Sequence, residues 1–267
     1  MLILHETLQN IFSQEGVFGV KLTFSHNSNH QLLSIMSDRP GGQLAKRPLH
    51  FIWIADYSGS MRGKKIESLN VAIRDAIPAM QTVANENPNA EVLVRAVCFS
   101  NGAQWHVAQP TEIHSFKWTD LKTDSVTDMG AAMELVAAEL SIEKMPPRGL
   151  PPVLVLISDG EPTDNFDKGL KALMDQPWGT KAVRIAVAIG EDANLGVLQK
   201  FIGNNEVQPL VATNIPDLAN KIKWASTVPL KAASNPASNT PGSPTGANVR
   251  IPAPPENTAP ISASDVF

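Results

Sequence analysis

One cysteine and one tyrosine occur in 267 residues, and aromatic side chains make up only 6% of the chain. A single thiol, Cys98, excludes an intrachain disulfide, and its place in the apolar run Val92–Phe99 marks it as a small buried hydrophobe. No apolar run approaches the roughly 20 residues that a bilayer-spanning helix needs. The start, Met1-Leu-Ile-Leu-His-Glu6, lacks the basic region, long apolar stretch and small-residue cleavage site of a secretory signal. A soluble cytoplasmic protein without a membrane partner is expected. Positive charge is not in excess either, since 22 Lys and Arg stand against 26 Asp and Glu for a formal net charge of -4. That balance, without a basic stripe, argues against a nucleic-acid partner. The one dense basic cluster, Arg62-Gly-Lys-Lys65, reads as the solvated start of a helix.

What is present is a core. An apolar content of 43% suffices for one large α/β domain with extensions. From Leu49 onward, short buried runs alternate with amphipathic segments, the pattern of βαβ units in a mostly parallel, doubly wound sheet flanked by helices. Strands are expected at His50–Ala55, Glu91–Phe99, Val153–Ile157, Val183–Ile189 and Pro209–Ala212. One short antiparallel edge strand is expected at Gln104–Val107, after the turn Ser100-Asn-Gly102. Helices are expected at Lys65–Val83, Met129–Leu140, Phe166–Met174, Asn194–Ile202 and Ile215–Trp224. In the first of them Ile66, Leu69, Ile73, Ile77 and Met80 recur every three or four residues and define a buried face, while Pro78 should bend or break it.

Two flanks depart from this pattern. Residues 1–46 form an extension whose one regular feature is a strand-like run, Val17–Phe24, with Gly41 and Gly42 as the hinge into the domain at 47–226. Residues 227–267 are rich in Pro, Ser, Ala and Asn and poor in large apolar groups, which predicts a flexible tail.

The chemistry concentrates at the end of the first strand of the domain. In Phe51-Ile-Trp-Ile-Ala-Asp-Tyr-Ser-Gly-Ser-Met61 an apolar run closes on one carboxylate, Asp56, and two hydroxyls, Ser58 and Ser60. Hard oxygen donors of this kind suit a divalent cation such as Mg²⁺ or Mn²⁺, which prefers octahedral oxygen coordination and keeps several waters. Read with Ser125-Val-Thr-Asp-Met-Gly-Ala-Ala-Met133 and Val153-Leu-Val-Leu-Ile-Ser-Asp-Gly-Glu-Pro-Thr-Asp164, the Asp-x-Ser-x-Ser run resembles the metal-ion-dependent adhesion site (MIDAS) of the von Willebrand factor A (vWA) family. The resemblance implies direct ligation by Ser58, Ser60 and Thr127, and ligation through water by Asp56 and Asp159. Asp128, Glu161 and Asp164, close in sequence to these residues, are read either as orienting waters around the ion or as solvated or helix-capping carboxylates. Because few anionic groups then touch the ion, an Asp or Glu side chain of a protein partner becomes its favoured last ligand.

Over Arg47–Ser226 the resemblance is greatest to the bacterial tellurium-resistance, TerY-like branch. Ser58-Gly-Ser-Met61, Thr127-Asp-Met-Gly-Ala-Ala-Met133 and Ile157-Ser-Asp-Gly-Glu-Pro-Thr-Asp164 carry it. This implies a non-enzymatic binding module in a stress-response system that includes a PP2C-like phosphatase and a Ser/Thr-type kinase. Tyr57 departs from the branch, where that position is usually small or polar.

Other chemistries fit less well. Gly59-Ser-Met-Arg-Gly-Lys64 falls one residue short of a phosphate-binding loop, and a lysine rather than Ser or Thr follows it. An aspartyl phosphotransferase would carry a second aspartate where Ser58 stands, and neither serine lies in Gly-x-Ser-x-Gly. Of the six histidines only His26 and His30 have the i, i+4 spacing of a zinc helix, and a turn-like Asn27-Ser-Asn29 separates them. Trp53, Trp105, Trp118, Trp178 and Trp224 read as core or rim residues, with Trp105 and Trp118 nearest a partner surface. A metal-dependent phosphohydrolase, or an assembly component stabilised by its metal, remain the alternatives to a binding module.

Overall fold

Strand β1, Arg47–Asp56, is buried along both faces from Leu49 to its end, which requires helices above and below it. The computed structural model describes residues 45–234, 251–254 and 267. β1 lies fourth from one edge and third from the other in a six-stranded sheet of order β3-β2-β1-β4-β5-β6. Its companions are β2 (Ala90–Ser100), β3 (Gly102–Glu112), β4 (Val153–Ser158), β5 (Val183–Ile189) and β6 (Leu210–Ala212). All neighbours pair parallel except β2 with β3. The doubly wound, mostly parallel sheet expected from the sequence is the one observed.

Alternate residues of β1 feed two cores. Leu49, Phe51, Trp53 and Ala55 join one face with α1 (Lys64–Glu86) and α6 (Ile215–Ser234). Ile52 and Ile54 join the other with α2 (Met129–Ala137), α3 (Phe166–Met174) and α5 (Leu195–Ile202). A short helix, α4 (Pro177–Lys181), opens on a proline and seats Trp178 in the second core. Its five residues were too few for a periodic signal. The first core centres on Trp53, whose ring meets Phe51, Phe116 and Trp118 and whose indole N–H donates to Ser226 Oγ at 3.2 Å.

Three expectations need correction. Of the bend or break expected at Pro78, the break does not occur, since α1 runs 23 residues through it. Pro78 and Arg74 both lie on the exposed face, where water can serve the Arg74 carbonyl that a proline four residues on leaves without its helical donor, while Ile66, Leu69, Ile73 and Met80 stay buried. The antiparallel edge strand is not short: β3 has eleven residues, with a bulge in its pairing to β2 that absorbs the stretch around Pro110. The last helix passes the expected end at Trp224 and the domain boundary at Ser226. It continues to Ser234 with Pro229, Leu230 and Ala233 buried along α1. Of the expected flexible tail, Ile251 and Phe267 pack half-buried on the first core. The Val17–Phe24 strand and the His26–His30 pair lie outside the described residues. Among those described, no helix is long and apolar enough to cross a membrane.

His50, on β1, gives the fold a pH dependence. Its ring is 8% exposed and its Nδ1 has no hydrogen-bond partner. Burial, reinforced by the Arg95 guanidinium and opposed by Glu139, lowers its pKa from 6.5 to about 4. The unfolded chain therefore binds a proton that the folded chain refuses. Stability from this residue is complete above pH 6.5 and declines as the pH falls towards 4, by up to ~3 kcal/mol. Urea unfolding between pH 7 and 4.5 should show this decline, and His50→Leu should flatten it.

Candidate metal centre

The order of the strands puts a crevice where ligands collect in open α/β sheets. The chain leaves β1 for β2 on one side and returns to β4 on the other, so the carboxyl ends of β1 and β4 flank the point where strand order reverses. Ala55 pairs with Ile157. The next residues along, Asp56 and Ser158, are therefore neighbours, and Asp159 lies one step further.

Hydrogen bonds fix this edge. Asp56 is fully buried; one carboxylate oxygen accepts the Ser58 N–H at 2.8 Å and the other accepts the Ser158 hydroxyl at 2.5 Å. Ser158 Oγ in turn accepts the Gly160 N–H at 2.8 Å, so it links both strand ends. Ser58 Oγ and Ser60 Oγ are 3.0 Å apart in a single turn of 3-10 helix at Gly59–Met61. Two hydroxyls at that distance span adjacent positions of an octahedral oxygen set.

The loop carrying Thr127 is tied to the first loop by its backbone. Gly59 N–H donates to Ser125 O at 3.1 Å and Asp124 N–H to Tyr57 O at 2.9 Å. A Cβ at position 59 would stand 2.9 Å from Ser125 O, so the glycine between the serines is what lets the loops touch. From the other side, Thr163 N–H donates to Thr127 O and Thr127 N–H to Thr163 Oγ1, each at 2.9 Å. Thr127 is buried between them.

The three outer carboxylates brace loops. Asp128 accepts the Gly102 N–H at 2.7 Å and the Thr163 hydroxyl at 3.0 Å. Asp164 takes the N–H groups of Gly130 and Ala131, both at 2.8 Å, and so caps α2 from another segment. Glu161 accepts from Asn194 Nδ2 at 3.2 Å. Each ties one loop at this edge to another segment.

Electrostatics sets Asp56 apart. Burial raises its pKa from 3.8 to about 6; the hydrogen bonds from Ser158 and Ser58 oppose the rise, and the negative charge of Asp159 adds to it. Asp159 is also buried, and its Oδ1 has no hydrogen-bond partner. Two buried carboxylates side by side, one with an unpaired oxygen, call for more positive charge than a single ammonium, Lys65 Nζ at 3.9 Å from Asp159 Oδ2, supplies. Among the described residues no three His, Cys, Asp or Glu side chains cluster as a metal site, so any ion here would draw on hydroxyls as well as carboxylates. That donor set fits a hard divalent cation.

Ser158, Thr163 and Lys65 were not singled out in the sequence. A serine closing an apolar strand before Asp159 was the available signal for the first. Thr163 gave none, since it reaches the site through space, and the basic cluster that ends at Lys65 read only as a solvated helix start.

No protein-family model matches the sequence, and no curated protein does. Solved structures do. A von Willebrand factor type A protein from Catenulispora acidiphila superposes with a TM-score of 0.50 at 14% identity, over 68% of this chain and 42% of its own. Proximal thread matrix protein 1 from the mussel byssus, in a structure with a zinc-occupied MIDAS motif, gives 0.51 at 16% identity, over 68% of this chain and 48% of its own. The fold is therefore that of vWA domains. The chain spans less than half the length of either protein.

Proposed function

We propose that this vWA-fold chain is a metal-dependent protein-binding module without catalytic activity of its own, which captures an Asp or Glu side chain of a partner at a MIDAS-like site. Ser58, Ser60 and Thr127 would hold the ion directly, with Asp56 and Asp159 close by, and Mg²⁺ or Mn²⁺ fits these oxygens best. The observation that carries this reading is the unpartnered, buried Oδ1 of Asp159 beside the buried Asp56 carboxylate and the Ser58–Ser60 hydroxyl pair. Bound there, the ion supplies positive charge that two carboxylates leave accessible to a third. The residues of the chain keep the two strand ends and three loops in register, so that a partner's carboxylate meets a fixed target. The TerY-like resemblance supports a role in a cytoplasmic stress or tellurium-resistance system, and makes a PP2C-like phosphatase or a Ser/Thr-type kinase the partner to test first.

Capture from native lysate by the immobilised chain tests this. Partners should be retained with Mg²⁺ and released by chelator. Retention indifferent to chelator would overturn the reading. Release accompanied by turnover of generic phosphoesters would turn it to hydrolysis.

A further inference from the structure

Lys65 does not behave as the solvated residue its sequence context implied. It is the second residue of α1, where a positive charge opposes the helix dipole, so helix stability gives no reason for it. Its side chain is only 14% exposed and lies over Gly190, where an added Cβ would stand 3.3 Å from the ammonium. Nζ is 3.9 Å from Asp159 Oδ2 and 3.7 Å from Asp192 Oδ1. Neither distance is a closed hydrogen bond. The ammonium stands between a buried carboxylate of the site and an exposed one outside it.

We propose that Lys65 is a resident cation that competes with the divalent ion for Asp159 and is handed to Asp192 when the ion binds. The proposal rests on the metal-dependent reading above and names how that site is regulated. A monovalent charge a few ångströms from a carboxylate offsets the penalty of burying it, and the same charge repels an incoming divalent ion. Asp192, 79% exposed on the loop after β5, receives the ammonium at small cost because water already solvates it. Metal uptake thereby becomes coupled to the loop that carries Asp192. The affinity of the site is set low enough for release, and its charge is balanced in both states.

The test is calorimetric titration of Mg²⁺ into the full chain and five variants, with a thermal melt of each as a check on folding. Lys65→Met should lower Kd on the order of tenfold, with Lys65→Gln as a second removal of the charge, whereas Lys65→Arg should stay near wild type. Asp192→Asn should raise Kd about threefold when Lys65 is present and leave it unchanged when combined with Lys65→Met, since only the handover couples the two residues. A wild-type chain that binds Mg²⁺ while Lys65→Met and Lys65→Gln bind it no more tightly refutes the competition alone. An equal effect of Asp192→Asn in both backgrounds refutes the handover. No uptake by the wild-type chain refutes this proposal together with the metal-dependent reading.

Discussion

Asp56→Ala is expected to weaken divalent-ion uptake by at least about 100-fold and to abolish chelator-sensitive partner capture, with the fold retained. The change removes the most deeply buried of the two carboxylates and releases two groups that its oxygens hold, the Ser58 N–H and the Ser158 hydroxyl. The first is the anchor of the serine loop and the second ties that loop to β4, so charge and geometry fail together. Stability should move little. A buried carboxyl raised to about 6 opposes folding at neutral pH, and its loss offsets the donors left behind, for a net change within ~1 kcal/mol. Asp56→Asn separates the two effects: the amide oxygen still accepts from Ser158, the charge is gone, and uptake should still fail. In the wild-type chain, ion uptake should begin to displace a proton below pH 6, where metal-free Asp56 is protonated, and affinity should fall as the pH is lowered. Calorimetry in two buffers of different ionisation heat reads that proton directly. Undiminished uptake by Asp56→Ala would remove the carboxylate from the site altogether.

What could be read from the sequence was whatever recurs locally. β5 has the bounds expected, because six apolar positions, interrupted only by Arg184, are bracketed by Lys181 before and Gly190 after. The ends of β1 and β4 were legible because an apolar run stopping at an aspartate marks where a buried strand meets the surface. The oxygen-bearing residues of the candidate site were legible as types. The contacts that aim them were not, since Ser158 reaches Asp56 across 102 positions and Asp164 reaches Gly130 across 34. The misread elements share a cause, which is tertiary context overriding local composition. Pro110 argues against a strand unless it falls at a bulge on an edge, and only pairing decides that. The Ala, Ser and Thr after Ser226 look like tail until α1 offers them a surface, against which Leu230 is fully buried. Lys65 looked solvated because its acidic neighbours come from two other strand ends.

Gly169→Ala should be among the most damaging small substitutions in the chain. A Cβ at position 169 on α3 would stand 2.2 Å from Gly130 O and 2.7 Å from Gly130 C and Cα. The reciprocal methyl on Gly130 of α2 would meet Asn165 O at 2.6 Å. These are backbone atoms, which no rotamer change can move aside, so the two helices must separate. Overpacking of this kind costs about 3 kcal/mol, or roughly 8 °C in Tm for a domain of this size. Gly196→Ala on α5 is the control: its nearest neighbour would be a side-chain oxygen at 3.4 Å, and replacing a helical glycine there should be neutral or stabilise by ~0.5 kcal/mol. The separation also reaches the site. α3 follows directly on Thr163 and Asp164, which hold Thr127 and cap the helix behind it. Moving α3 away from α2 therefore loosens Thr127, a proposed metal ligand that Gly169 never touches, and Mg²⁺ affinity should fall on the order of tenfold. A variant that melts early yet binds Mg²⁺ as wild type does would show that Thr127 is positioned by the serine loop alone, through Ser125 and Gly59.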